Sequence, residues 1–273
     1  MEVSALYIHP VKSLRGLRVR RAEIDALGFV GDRRFLVVDP EGGFLTQRGL
    51  PRMALIDACL DEASLALESE GHGQIRVQRA PDPGAGGVSV RVWKSEGLQA
   101  EDCGQEAADW LGAVLRVPCR LVRIGPAFMR PVRPDRAEPG DRVSFADAYP
   151  FLVASEASLE DLNARIEADG GSPLPMDRFR PNLVIRGCGA FAEDGWRRLR
   201  IGEAVFRASG PCARCAVTAT DQRTGERGVE PLRTLARYRR DPLEPSQVNF
   251  GQNLVHVTKS GAISVGDAVE ILD

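Results

Sequence analysis

The chain has 273 residues, of which 43% are hydrophobic, so it can bury one large core or two modest ones and is not expected to be disordered. Its 36 basic and 38 acidic side chains leave a formal charge of −2, which excludes recruitment of nucleic acid or an anionic membrane by net charge. No stretch approaches the roughly 18 to 20 apolar residues of a membrane helix, and we expect neither a signal peptide nor a membrane span. The six scattered cysteines favour a reduced, cytoplasmic setting.

Short apolar runs separated by turn residues fill the first third of the chain. They predict strands at 4–8, 17–24, 34–38, 54–59, 75–78 and 88–93. Strands at this spacing are typical of a small barrel or sandwich. Apolar residues at helical spacing then predict a helix over 105–115, with Asp102 as its N-cap.

A second unit is expected after residues 126–141, which are rich in Pro, Arg and Asp and resemble a linker. The predicted domains are therefore 1–125 and 126–273. Ser158 and Asp161 have the spacing of a capping box and predict a helix that ends at Gly170. Further strands are predicted at 183–185, 204–208, 216–219, 254–257 and 268–272, with a basic helix or turn at 231–240. The expected fold is mainly β with a few helices (α+β).

The run Cys-Ala-Arg-Cys at 212–215 has several interpretations. A redox dithiol normally opens a helix that lowers one thiol pKa, whereas residues 216–219 have the pattern of a strand. A zinc site needs further ligands, and the three histidines at 9, 72 and 256 are far apart in sequence. A soft thiolate would suit a thiophilic metal, and two ordinary buried cysteines remain the plain alternative.

Two further clusters carry cations beside neutral hydrogen-bonding groups. One comprises His9 to Ser13 with the nearby run 31–34, and the other is Arg-Phe-Arg-Pro-Asn at 178–182. Arginine offers a planar fork of donors that suits a phosphate, and lysine offers a point charge. Together they describe an anion pocket, although each cluster alone is more commonly a set of solvated charges or surface ion pairs.

Seven ordered motifs resemble a known family over essentially the whole chain. They are His-Pro-Val-Lys-Ser (9–13), Gly-Asp-Arg-Arg-Phe (31–35), Phe-Ala-Asp-Ala-Tyr-Pro-Phe (145–151), Ser-Glu-Ala-Ser-Leu (155–159), Phe-Arg-Pro-Asn (179–182), Cys-Ala-Arg-Cys (212–215) and Asn-Phe-Gly-Gln (249–252). This order resembles the MOSC N-terminal β-barrel followed by a MOSC domain, as in proteins of the YcbX and mitochondrial amidoxime-reducing type.

The resemblance implies a molybdenum cofactor, molybdenum bound to molybdopterin, in a cleft between the two units. Cys215 would ligate molybdenum, with Arg214 favouring its thiolate, and Cys212 would be supportive. The carried-over roles are as follows: Lys12, Ser13, Arg33 and Arg180 hold the pterin phosphate and ring system, Asn182, Ala213 and Arg214 lie near the dithiolene, and Asp147 lies near the metal as a proton donor. Asn253 stands where the mitochondrial relatives carry an aromatic residue, so the shape of the substrate pocket is not implied.

The implied function is a molybdenum-dependent oxidoreductase that reduces small N-hydroxylated compounds: amidoximes, hydroxylamines or N-hydroxylated base analogues. Electrons would come from a separate protein (a ferredoxin, a cytochrome b5-like protein or a flavin reductase), because we expect no ferredoxin domain of the kind that longer bacterial relatives carry. Its other four cysteines form no iron–sulfur ligand run. The alternative is a cofactor or sulfur carrier that uses a Cys215 persulfide, since MOSC domains also occur in molybdenum cofactor sulfurases. The expected lack of their pyridoxal-phosphate desulfurase domain favours the reductase.

Overall fold

A computed structural model describes residues 1–82, 84, 86–133 and 136–273, and within these ranges the chain forms eighteen strands and three α-helices. The mainly β fold predicted from the sequence is confirmed. The strands are β1 (Glu2–Ile8), β2 (Leu17–Val19), β3 (Arg21–Asp25), β4 (Gly28–Phe29), β5 (Phe35–Val38), β6 (Asp57–Leu60), β7 (Ser64–Ser69), β8 (Gly73–Gln78), β9 (Gly87–Val92), β10 (Ser95–Asp102), β11 (Arg120–Ile124), β12 (Phe151–Ser155), β13 (Leu183–Arg186), β14 (Arg198–Ile201), β15 (Ala204–Ala213), β16 (Asn249–His256), β17 (Ala262–Ser264) and β18 (Val269–Ile271). The helices are α1 (Gln105–Leu115), α2 (Glu156–Ala168) and α3 (Leu232–Tyr238).

The largest sheet has eight strands in the order β18-β14-β15-β16-β12-β13-β1-β2. Strand β1 comes from the start of the chain, yet it pairs antiparallel with β13, with Leu6 opposite Leu183. Strand β3 likewise pairs with β17 from the end of the chain. Hydrogen bonds therefore cross the predicted boundary after residue 125, and the division into 1–125 and 126–273 stays a prediction.

Strands β12 and β13 are parallel and are connected through α2. The helix begins at Glu156, because the side chain of Ser155 accepts a hydrogen bond from the backbone N–H of Ser158 at 3.1 Å. The predicted capping box at Ser158 was therefore wrong by three positions. The Ser158 hydroxyl instead donates to the buried carboxylate of Glu193 at 2.8 Å. Ser155, the last residue of β12, is therefore also the N-cap of α2.

The N-terminal half outside the large sheet contains a four-stranded sheet, β5-β11-β10-β9, and a three-stranded sheet, β6-β7-β8. Helix α1 has the bounds predicted from its apolar spacing and packs against β8 and β11. Its N-cap is Gly104 and not Asp102. Asp102 ends β10, where its carboxylate accepts from the backbone N–H of Gly104 at 2.7 Å and pairs with Arg120 of β11.

The segment that follows β15 is a 3-10 turn, Ala216–Ala219, and not the predicted strand. The backbone N–H and the hydroxyl of Thr218 both donate to the carbonyl of Cys215, at 3.0 and 2.9 Å. Local hydrogen bonds therefore satisfy this backbone where a strand would need a partner.

The predicted linker, 126–141, includes residues 134 and 135, which lie outside the described residues. Its described part pairs Pro131 with Arg142 in an antiparallel bridge. Arg130 is buried, and its guanidinium donates to the carbonyls of Ser144 at 2.8 Å and Asp147 at 2.7 Å. This arginine fixes the loop that carries Asp147.

Candidate functional site

One cleft, enclosing about 140 Å³, brings together every site residue predicted from the sequence. The roles assigned to these residues stay predictions, but their convergence is a property of the structure. The predicted residues that line the cleft are Lys12, Ser13, Arg33, Asp147, Arg180, Asn182, Cys212, Ala213, Arg214 and Cys215. They are joined by residues that include Arg48, Tyr149, Phe179 and Asn253.

The strand order explains this convergence. Because β1 and β13 are antiparallel, the end of β1 lies beside the start of β13. The first cationic motif follows β1, and Arg180 and Asn182 precede β13. Asp147 precedes the neighbouring β12, and Cys215 follows β15. The first three positions, remote in sequence, are thus brought to one end of a single sheet, and Cys215 lines the same cleft from beyond the bulged end of β15.

Three of the predicted anion-binding residues have left-handed backbones. The φ angles are 68° at Ser13, 48° at Arg33 and 53° at Arg180, where residues other than glycine are uncommon. Such conformations are costly, and they persist where the surrounding structure fixes them, often at functional sites. Here each one turns a polar side chain into the cleft.

The two arginines differ in their partners. The guanidinium of Arg33 donates to Asp32 at 2.6 Å and to the side-chain oxygen of Asn182 at 3.0 Å. Arg180 donates to the carbonyl of Leu14 at 2.7 Å, and it forms no ion pair with a carboxylate among the described residues. Burial, together with the nearby positive charge of Arg33, lowers the pKa of Arg180 to about 9. The carboxylates of Asp32, Asp147 and Asp177 oppose this effect without direct contact, so a bound anion would add the direct partner that this guanidinium lacks.

Lys12 and Asp147 form a direct ion pair at the cleft. Burial lowers the pKa of Lys12 to about 8, against the opposing effect of Asp147. Partial desolvation in the cleft acts to raise the pKa of Asp147, but Lys12, then Arg48 and the indole N–H of Trp93, outweigh it and hold that pKa well below its usual range. At neutral pH the carboxylate is ionised and the lysine carries the proton.

The two cysteines have different cationic neighbours. Nη2 of Arg48 lies 3.0 Å from Sγ of Cys215, and Nη1 of Arg214 lies 2.8 Å from Sγ of Cys212. Burial raises the pKa of the Cys212 thiol, and Arg214 opposes this effect. The cation that contacts the Cys215 sulfur is Arg48, and the predicted support of Cys215 by Arg214 stays a prediction.

Sequence reasoning missed Arg48 and Trp93. The guanidinium of Arg48 lies over the Trp93 ring at 4.6 Å, and the Trp93 indole N–H donates to Asp147 at 3.1 Å. Trp93 also packs edge-on against Phe44. The positive φ of 56° at Trp93, in the turn after β9, is visible only in the structure.

The donor set fits a cofactor that carries a phosphate and a thiophilic metal. Among the described residues no three His, Cys, Asp or Glu side chains cluster as metal ligands, so a metal held by Cys215 would need further ligands from a cofactor. Nε of Arg214 is buried without a hydrogen-bond partner in the described part of the chain. A buried N–H without an acceptor is unfavourable, and a bound cofactor would supply an acceptor for Nε of Arg214.

Comparisons with known proteins identify the family. Residues 1–118 match the MOSC N-terminal beta barrel domain, and residues 140–270 match the MOSC domain. The chain belongs to the MOSC family. This confirms the resemblance recognised from the seven motifs.

Curated MOSC relatives include two kinds of protein. Mitochondrial amidoxime-reducing component 1 from Mus musculus is 38% identical over 286 residues, which covers 99% of this chain and 82% of that protein. The Homo sapiens protein of the same name is also 38% identical, over 99% of this chain and 82% of its own length. Molybdenum cofactor sulfurase from Danio rerio is 33% identical over 92% of this chain, which spans only 31% of that longer protein.

In the part of this MOSC chain that the structure describes, no helix combines the length and apolar character needed to cross a membrane.

Proposed function

We propose that the chain holds a molybdenum cofactor in this cleft and reduces small N-hydroxylated compounds to the corresponding N–H compounds. In that reaction the N–O bond breaks, two electrons and two protons are consumed, and water leaves. The observation that carries the proposal is the placement of the Cys215 sulfur in the same cleft as Arg180, a half-buried cation with no carboxylate in direct contact among the described residues. Amidoximes, hydroxylamines and N-hydroxylated base analogues are the proposed substrates.

The family relationship supports this proposal. The mouse and human relatives are named for amidoxime reduction, and this chain aligns with them over nearly its full length. Their names also place those proteins in mitochondria, and a cytoplasmic location for this chain stays a prediction. Molybdenum would supply the two-electron redox chemistry once the cofactor is bound, while the protein binds and orients it.

We assign phosphate binding mainly to Arg180 and the hydroxyl of Ser13, with Arg33, whose guanidinium also pairs with Asp32, beside them. That hydroxyl has no hydrogen-bond partner within the described ranges, whereas Nζ of Lys12 is engaged by Asp147. Asn182 contributes indirectly. Its side-chain oxygen accepts from Arg33 and from the backbone N–H of residue 152, at 3.0 and 3.2 Å, so it fixes the guanidinium rather than binding the ligand.

We propose that the Lys12–Asp147 pair supplies a proton to the departing oxygen. A proton donor works best when its pKa lies near the working pH. The pKa of Lys12, about 8, meets that condition, and the low pKa of Asp147 does not. Asp147 keeps the catalytic role predicted from the sequence, but as the carboxylate through which a proton from Lys12 is relayed. Its side chain is 60% exposed, so it opens into the cleft where a substrate would lie.

Electrons would come from a separate protein: a ferredoxin, a cytochrome b5-like protein or a flavin reductase. The described residues contain no cluster of three or more cysteine, histidine or carboxylate side chains that could hold an iron–sulfur centre of their own. A small-molecule reductant replaces this partner in the assay below.

The test measures conversion of an aryl amidoxime to the amidine, with reduced viologen dye as the electron source. The wild type is compared with Cys215→Ala and with Cys59→Ala, which removes an exposed cysteine outside the cleft. We expect turnover in the wild type and in Cys59→Ala, and only background in Cys215→Ala. Equal turnover by Cys215→Ala would remove the basis of the proposal.

The alternative function is handling of the cofactor or of sulfur, with a persulfide on Cys215. The observation that favours it is the identity with a molybdenum cofactor sulfurase over most of this chain. Mass spectrometry of intact purified protein decides between the two functions. A mass increase of one sulfur atom, lost in Cys215→Ala and accompanied by no amidoxime turnover, would favour the carrier.

A further inference from the structure

We propose that His9, which lies outside the cleft, is a positioning residue that holds Arg33 and Arg180 in the backbone conformations that direct them at the cofactor phosphate. The inference rests on the proposed function for the identity of the anion. It does not require His9 to touch that anion. His9 begins the motif at 9–13 and has no other role in the proposed reaction.

His9 is bonded to both cationic segments. Its backbone N–H donates to the carboxylate of Asp32 at 2.8 Å, and its carbonyl accepts from the N–H of Arg33 at 2.7 Å. Its ring nitrogen Nε2 lies 3.1 Å from the carbonyl of Pro181, the residue after Arg180. One side chain and its own backbone thus connect two left-handed residues that lie far apart in sequence.

The ring is locked in one neutral form. Since the partner of Nε2 is a carbonyl, Nε2 carries the proton, and this assignment follows from the partner. Nδ1 is buried and has no partner in the described part of the chain. Burial, and then the charges of Arg33 and Arg180, keep the pKa of His9 well below its usual range. His9 therefore orients two cations without adding a third.

Gly16 leaves the space that this ring occupies. A Cβ at Gly16 would lie 2.5 Å from Cε1 of His9 and closer still to Nδ1. Real Cβ atoms do not make such contacts, so alanine at this position would displace the ring. Gly16 has no positive φ, and alanine fits its backbone. The substitution Gly16→Ala therefore moves His9 without changing its chemistry.

The experiment compares His9→Leu, His9→Gln and Gly16→Ala with the wild type. One readout is molybdenum and pterin per chain after expression in a cofactor-producing host. The other is the affinity for inorganic phosphate, measured by calorimetry on protein from a cofactor-deficient host. We expect phosphate affinity and cofactor content to fall about tenfold in His9→Leu and in Gly16→Ala. A loss of this size is typical when a residue that orients a ligand-binding side chain is removed. His9→Gln should recover most of the affinity, because its amide N–H can reach the Pro181 carbonyl.

His256→Leu is the matched control. His256 is equally buried, its Nε2 bonds to the carbonyl of Asp25 at 2.7 Å, and its Nδ1 also lacks a partner among the described residues. His256→Leu should lower the thermal midpoint as much as His9→Leu does. It should leave phosphate affinity within about twofold of the wild type.

The inference would be overturned if His9→Leu or Gly16→Ala bound phosphate as tightly as His256→Leu does. If His9→Leu does not fold, Gly16→Ala decides alone. A wild type that binds phosphate but contains neither molybdenum nor pterin would instead remove the proposed function, and the phosphate titration would still decide the role of His9.

Discussion

Nη2 of Arg48 lies 3.0 Å from Sγ of Cys215, although 167 positions separate the two residues in sequence. The same guanidinium lies 3.9 Å from the Asp147 carboxylate and is held over the ring of Trp93. The N-terminal half of the chain therefore supplies the cation that faces the proposed metal ligand. Both halves are needed to complete the site.

Replacing Arg48 by methionine keeps an unbranched apolar stem and removes the charged guanidinium. We expect cofactor retention or amidoxime turnover to fall about 10- to 100-fold, as is typical when a group that orients a metal ligand is lost. Molybdenum per chain and turnover are the measurements. Arg52→Met is the control, since Arg52 lies nearby in sequence but does not line the cleft. Equal losses in the two variants would refute a specific role for Arg48.

The pH profile of turnover tests the Lys12 proton. Lys12 is protonated below its pKa of about 8, so kcat should be level below that pH and fall about tenfold per unit above it. Lys12→Arg should move this decline to higher pH, because a guanidinium keeps its proton. Asp147→Asn should lower kcat at every pH. A profile with no decline between pH 8 and 10 would contradict the relay.

His256 makes stability depend on pH. Burial, together with the charge of Lys259, lowers the pKa of His256 to about 4 from an unfolded value of 6.5. Between these values the unfolded chain binds the proton and the folded chain does not, so stability is fully present above pH 6.5 and falls as the pH drops toward 4. At about 1.4 kcal/mol per pKa unit, the loss approaches about 3 kcal/mol. Urea unfolding of the wild type and His256→Leu across this range should show a smaller pH dependence in the variant. Parallel curves would exclude His256 as the cause.

The cap of α2 provides a prediction about stability. Ser155→Ala removes the side chain that accepts from the N–H of Ser158, and it should cost about 1 kcal/mol. Ser158→Ala should cost more, about 2 kcal/mol, because the buried carboxylate of Glu193 loses a donor. Urea unfolding measures both changes. Ser172→Ala, at an exposed position after the helix, should change stability by less than about 0.5 kcal/mol. Unchanged stability in Ser155→Ala would contradict the assignment of Ser155 as the cap.

The elements predicted best were those with a strong local pattern. Helix α1 has the predicted bounds because its apolar residues repeat at helical spacing. Strand β12 was not predicted, since a short strand between β13 and β16 depends on partners that are distant in sequence. Strands β7, β11 and β14 were also not predicted. The pairing of β1 with β13 was equally invisible to a reading along the chain.

In the cleft, too, the residues with a local sequence pattern were predicted, and a residue that depends on tertiary contacts was not. The motifs that carry Lys12, Arg180 and Cys215 were found because each has its own short signature, and the fold brings them to one place. Arg48 carries no such signature, and its contacts depend on how two halves of the chain meet. The contact that Arg214 makes was also not evident from the sequence, since Arg214 is adjacent to Cys215 but donates to Cys212.

The most direct test of the central claim is the molybdenum and pterin content of purified protein from a cofactor-producing host, for the wild type and for Cys215→Ala. Elemental analysis gives the metal, and fluorescence after oxidation gives the pterin. The account predicts near-stoichiometric metal and pterin in the wild type, and loss of the metal in Cys215→Ala. Absence of both from the wild type, in a host confirmed to make the cofactor, would contradict it.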